Sequence, residues 1–178
     1  SPNNLTAGEI YDASASAIGL NSGKLMGLAS YGKPRFFCKK FVGNWFDYNQ
    51  LSAQEWINHC LEKAASQNYN LSNFGIKDKI LDNINIDFAA STQKLIEEII
   101  LEATSTLKSS LENSSKNTDN LCFSGGVALN CPANSRIFNE GPFKKLFIPP
   151  AVGDMGLSIG SALGLYYNLM ENKLIILS

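Results

Sequence analysis

Leu121-Cys122-Phe123-Ser124-Gly125-Gly126-Val127-Ala128-Leu129-Asn130 is the stretch on which the reading of this chain turns. Its apolar start reads as a short buried strand. The two glycines let the backbone bend sharply, and Val127 to Asn139 reads as a helix whose early part Pro132 restricts. A strand that runs through glycines into a helix brings free amides and the positive end of a helix dipole to one place, which suits a phosphate group. The plain alternative is an ordinary tight turn. Downstream, Lys145 to Ile148 reads as a second strand stopped by Pro149-Pro150, Val152-Gly153-Asp154 as a turn, and Met155 to Met170 as a helix. Strand, helix, strand, helix is an α/β pattern. It sets Asp154 at the same sheet end as Ser124-Gly125-Gly126, the edge where open α/β sheets gather their sites.

Upstream the chain is helical. Ala7 to Gly19 places Ile10, Ala13, Ala17 and Ile18 near one face, with Gly19 suited to the C-terminal cap. A second helix follows Asn21-Ser22-Gly23 and stops at Tyr31-Gly32-Lys33-Pro34. Phe36 to Tyr48 is aromatic and irregular, with room for short strands. Ser52 with Glu55 forms a capping-box pattern for a helix to Ala65. Gln67 to Asn85 reads as loop with one helical turn. Asp87 is expected to cap a long helix to about Leu111, with Phe88, Leu95, Ile99, Ala103, Leu107 and Leu111 as its apolar stripe. Asn113 to Asn120 is a polar linker. Gly156, Gly160 and Gly164, four residues apart, predict close packing of the last helix on a neighbour.

The 178 residues suit one domain, and 44% hydrophobic against 17% charged residues provides for a buried core. Fifteen Lys and Arg against sixteen Asp and Glu leave a net charge of -1, which argues against a nucleic-acid binder or a polybasic membrane module. No apolar run is long enough to span a bilayer. Cys38, Cys60, Cys122 and Cys131 match no zinc spacing and read as reduced thiols of a cytoplasmic protein.

Known phosphate loops can be tested against the glycine turn. The dinucleotide fingerprint GxGxxG and the Walker pattern are both absent. Ser124-Gly125-Gly126-Val127 fits the first half of an ATP-pyrophosphatase loop, but Ala128-Leu129 stands where that loop needs Asp-Ser. Asn130 can reach a nucleotide or simply cap a helix. Asp154 can give a metal one oxygen ligand or act as an N-cap. Glu9 and Asp12, three residues apart, can hold ribose hydroxyls or form a solvated face. Lys24, beside Gly23, can meet a phosphate or face solvent. The lone histidine, His59, reads as structural or solvent-exposed. No residue is assigned a catalytic role.

Gly23-Lys24-Leu25-Met26-Gly27-Leu28-Ala29-Ser30-Tyr31-Gly32-Lys33-Pro34 resembles a signature of the O-carbamoyltransferases of the nodulation-protein and antibiotic-tailoring type. Asp87 to Gln93, Leu121 to Asn134, Gly141 to Pro150, Gly153 to Gly156 and Gly160 to Gly164 continue the resemblance in order, over most of Gly8 to Tyr167. It implies helix-rich α/β architecture with a few strands: a partial ribonuclease-H-like half of an actin-like or sugar-kinase-like ATPase domain. Residues 1–178 are then a single internal fragment, the C-terminal half of the carbamoyltransferase N-terminal domain. The implied chemistry converts carbamoyl phosphate and ATP to a carbamoyl-adenylate and passes the carbamoyl group to a hydroxyl of a small-molecule acceptor. By the same resemblance Gly125, Gly126 and Asn130 match nucleotide-contacting positions, Asp12 and Gly23 lie near the ribose and adenosine, and Asp154 matches the aspartate that binds a divalent, iron-type metal. The family's metal-binding histidines and its final domain are not in this sequence. The fragment is therefore expected to depend on the missing N-terminal half and C-terminal domain of its own polypeptide and to be inactive alone. Two other readings stand beside this one: an ATP-pyrophosphatase-like ligase, and a non-catalytic nucleotide-binding or assembly module.

Overall fold

A computed structural model describes residues 7–43, 52–111 and 119–169, with side chains as far as 167. The architecture is helix-rich α/β. Four helices come first: α1 (Ala7–Ala17), α2 (Ser22–Ala29), α3 (Ala53–Ser66) and α4 (Asn83–Leu111). The strands β1 (Asn120–Cys122) and β2 (Lys145–Phe147) follow, with α5 (Cys131–Glu140) between them and α6 (Met155–Leu169) after them. The two strands pair in parallel, Leu121 opposite Leu146, as a crossover through a helix requires.

Local chemistry sets most of the boundaries. The amides of Gly19 and Leu20 bond back to Ser16 and Ala15 at 3.0 and 2.9 Å, and Gly19 takes φ +70°, which together make a Schellman close to α1. Asn21 Oδ1 accepts from the Lys24 amide at 2.9 Å to cap α2. Ser52 and Glu55 form the capping box of α3 in both directions.

The 29-residue α4 is the spine, with α1, α2 and α5 against it. Phe88, Leu95 and Ile99 are buried with Ile10, Leu25 and Trp56. The expected stripe fades beyond Ile99: Ala103 is half-buried and Leu107 exposed. Thr92, buried within α4, accepts a hydrogen bond from the Trp56 indole at 3.0 Å.

Several expectations are corrected. Helix α4 starts at Asn83, a turn before Asp87, so Asp87 is not its cap. Asp87 is instead a buried acceptor for the Lys33 amide (2.7 Å) and the Tyr69 hydroxyl (2.5 Å), and pairs with Arg35 (3.4 Å). The Phe36–Tyr48 segment holds a 3-10 turn at Lys39–Phe41 and no strand among the described residues, which exclude 44–51. Two 3-10 turns, not one helical turn, lie between α3 and α4. Residues 112–118, most of the expected linker, lie outside the described residues, as does Met170. The helix expected from Val127 is divided at Asn130, whose side chain accepts from the Ala133 amide and starts α5 afresh; before it stands a 3-10 turn, Gly126–Leu129. The glycine stripe of α6 does not pack as expected among the described residues. A Cβ on Gly160 or Gly164 would meet nothing within 4 Å, and Met155, Leu157, Ile159 and Leu163 are exposed. Only Gly156 of the three is confined, by the Ala151 carbonyl.

His59 is structural. Its ring is stacked on Trp56 and tilted against Phe41, and its Nε2–H donates to the Phe36 carbonyl at 3.1 Å. Burial pushes its pKa below the usual 6.5, only partly offset by that bond, and Lys40 and Lys63 push the same way. The unfolded chain therefore takes up a proton at His59 before the folded one does. Its contribution to stability is complete above about pH 6.5 and is lost as pH falls through that value toward the depressed folded one. A melting temperature that declines between about pH 7 and 5.5, with a smaller decline in His59→Gln, is expected; identical pH profiles for the two proteins would contradict it.

Candidate functional site

A cleft of about 900 Å³ opens between α1, the start of α2, the middle of α4 and the glycine turn. Its walls come from separate parts of the sequence. Helix α1 contributes Glu9 and Asp12, which the helical spacing sets on one side. Gly23 comes from the first turn of α2, Gly126 and Asn130 from the turn after β1, and Asp154 from the residue before α6. Six of the nine candidate positions thus share one cavity. Met26, Ile96, Val127 and Leu129 add apolar surface that sequence reasoning did not single out.

Each polar candidate has definable surroundings. Asp12 is exposed, and its Oδ1 accepts from Ser22 Oγ at 2.8 Å, tying α1 to the start of α2. Glu9 and Asp154 are exposed. Asn130 is buried, caps α5 through Ala133, and forms a reciprocal amide pair with Gln93 at 2.9 and 3.0 Å. Tyr11, on the α1 wall, donates to Gln93 Oε1 at 2.7 Å. Burial pushes the Tyr11 phenol well above its usual range, so it stays a neutral donor.

The glycine pair divides its work. Gly125 has φ +100°, a left-handed conformation that disfavours other residues, and its amide donates to the Val152 carbonyl at 2.9 Å. That bond ties the turn to the segment carrying Asp154. Gly126 opens the 3-10 turn; a Cβ there would meet nothing within 4 Å. The first amides of such a turn have no partner within it. Ser124 and Gly125 line smaller neighbouring cavities instead of the main cleft. Lys24 does not line the cleft either; it is exposed, and its amide is held by the Asn21 cap. The charged groups that line the cleft, among the described residues, are Glu9, Asp12 and Asp154, all acidic.

A metal centre does not fit these residues by themselves. Among the described residues no three His, Cys, Asp or Glu side chains converge on a point. Asp154 is a single carboxylate, and His59 is committed to Phe36 in the core. No helix described is long and apolar enough to cross a membrane.

Comparison with known proteins gives a consistent result. Residues 3–163 match the family model described as Carbamoyltransferase N-terminus. The chain is 34% identical over 164 residues to an uncharacterized protein of Synechocystis, covering 86% of this chain and 26% of that protein. It is 30% identical to nodulation protein NolO of Bradyrhizobium diazoefficiens over 152 residues, 79% of this chain and 24% of the relative. It is 26% identical to the 3'-hydroxymethylcephem-O-carbamoyltransferase of Streptomyces clavuligerus over 152 residues, 80% of this chain and 25% of the enzyme. The chain spans about a quarter of the length of these relatives.

Proposed function

The chain belongs to the carbamoyltransferase N-terminus family, and from that premise we propose that it supplies one wall of the nucleotide site of an ATP-dependent O-carbamoyltransferase. The reaction forms a carbamoyl-adenylate from carbamoyl phosphate, ATP and water with release of phosphate and pyrophosphate, then passes the carbamoyl group to a hydroxyl of a small-molecule acceptor with release of AMP. One observation carries the reading: Glu9, Asp12, Gly23, Gly126, Asn130 and Asp154, drawn from four segments, line a single cleft of about 900 Å³. That volume suits a ligand the size of a nucleotide.

In this reading Asp12 and Glu9 accept hydrogen bonds from the ribose hydroxyls. Gly23 lets the nucleoside approach the start of α2, and Met26, Ile96 and Leu129 give the base an apolar surface. The turn at Gly126 faces the phosphates with backbone amides in place of Lys or Arg side chains. Asp154 stands beside them as one carboxylate. A divalent metal there needs ligands from outside these residues, and no step is assigned to it. The parallel β1–β2 pair and the apolar face of α6 that is exposed among the described residues support a ribonuclease-H-like half whose remaining layers belong to the rest of a longer polypeptide. Four free cysteines support a reducing, cytoplasmic setting, and the near-zero net charge is consistent with a small-molecule substrate in place of nucleic acid.

The test is an ATP titration of the full-length protein containing these residues, with Asp12→Ala beside the parent. Loss of a charged acceptor for a ribose hydroxyl is expected to weaken ATP roughly tenfold or more. Equal affinity in the two proteins would sink the ribose assignment.

A further inference from the structure

Gln93 is a buried polar side chain on α4 that does not itself line the cleft, and its amide is saturated. Nε2 donates to Asn130 Oδ1 at 2.9 Å and to Glu97 Oε1 at 2.8 Å. Oε1 accepts from the Tyr11 hydroxyl at 2.7 Å and from Asn130 Nδ2 at 3.0 Å. A glutamine side chain has two donors and one oxygen with two lone pairs, so all four places are filled. The partners lie on different elements: Tyr11 on α1, Asn130 at the head of α5, and Glu97 one turn further along α4. Glu97 passes the connection on to Arg136 of α5 at 3.4 Å.

Tyr11 and Asn130 line the cleft, on the α1 wall and the glycine-turn wall respectively. We infer that Gln93 is a positioning residue for the nucleotide site, fixing the α1 wall that carries Glu9 and Asp12 against the turn that carries Gly126. The inference rests on the nucleotide reading above. Apolar contacts between two helices and a turn tolerate sliding, whereas a reciprocal amide pair has one geometry. No other side-chain type of this size does the same work here. Methionine would leave the Tyr11 hydroxyl and both Asn130 polar atoms short of partners. Glutamate would lose both donors and set a second carboxylate against Glu97.

The experiment uses the full-length protein and four variants: Gln93→Met, Asn130→Ala, their double, and Asp12→Ala. ATP affinity is measured by calorimetry well below each melting temperature, with KM for ATP and kcat measured separately. Gln93→Met is expected to weaken ATP roughly tenfold and to act mainly on KM. The double variant should be little worse than Asn130→Ala alone, because both changes break the same pair and Asn130→Ala in addition uncaps α5. A lower melting temperature with unchanged ATP affinity and KM would show that the amide serves only the fold, and would overturn the inference. If Asp12→Ala weakens ATP and Gln93→Met does not, the positioning role alone falls. If neither does, the nucleotide reading falls and takes this inference with it. Should Gln93→Met fail to fold, Tyr11→Phe removes one of the four bonds without changing shape. It is expected to weaken ATP about threefold, and unchanged affinity there would count equally against the role.

Discussion

Replacing Gly32 by alanine is expected to destabilise the chain by about 3 kcal/mol, at the upper end for one added methyl group. The added Cβ would lie 2.1 Å from the Ile86 carbonyl oxygen, 2.5 Å from its carbon and 3.0 Å from the Asp87 amide nitrogen. These are backbone atoms of the spine helix, so no side-chain rotation relieves the overlap. The segment from Gly32 to Phe36 would have to lift. It is held down by a row of specific bonds: the Lys33 amide to Asp87 at 2.7 Å, the Phe36 amide to Ser91 Oγ at 3.0 Å, and His59 to the Phe36 carbonyl at 3.1 Å. Phe36 itself is buried and meets Tyr69 edge-on at 5.2 Å. Gly27→Ala is the control. Gly27 lies within α2, and a Cβ there meets nothing within 4 Å. That change is expected to stabilise by about 0.5–1 kcal/mol through helix propensity and the reduced freedom of the unfolded chain. Urea unfolding of the two variants separates close packing from glycine content. A Gly32→Ala midpoint equal to that of the parent would show that the strap is not pressed against α4.

The same strap shows what a sequence reveals and what it hides. Gly23 to Pro34 stands out as a run, and Tyr31-Gly32-Lys33-Pro34 is legible as a helix stop, because chain breakers act locally. The reason for Gly32 is a contact with Ile86, more than fifty residues away, and no local pattern carries it. The capping box at Ser52 and the close at Gly19 are legible for the same reason that Gly32 is not: each is settled within a few residues. Asp87 looked like a cap because an aspartate before an apolar run usually is one; its true partners, Lys33, Arg35 and Tyr69, are distant in sequence.

The candidate site divides along the same line. Helical spacing set Glu9 beside Asp12, and strand-turn-helix logic set Asp154 near the glycine turn. Lys24 was legible only as a charge beside a glycine, and it does not line the cleft. Gln93 and Tyr11 were missed. The available signal was a glutamine three residues before Ile96, itself buried in a stretch that is buried from Ile84 to Ile100 apart from a few half-buried positions. A polar residue there asks for partners, but its sequence does not say which.

Gly126→Asp is expected to weaken ATP binding by the full-length protein about a hundredfold. A carboxylate set roughly 6 Å from a phosphate charge, in surroundings of effective dielectric about 20, costs about 2.8 kcal/mol, and each 1.4 kcal/mol is tenfold. The substitution suits a binding test because Gly126 has open space where its Cβ would stand and is exposed, so the fold has little reason to respond. Gly125 offers no such separation. Its φ of +100° strains any other residue and would confuse lost stability with lost affinity. Gly126→Asn, of the same shape without the charge, isolates the electrostatic part and should bind within about threefold of the parent. Repulsion between partly exposed charges is screened, so the deficit of Gly126→Asp should shrink as salt rises toward about 0.5 M. A deficit equal in both variants would mean that the bend excludes bulk, not charge. No deficit in either would place the phosphates elsewhere and remove the turn from the site.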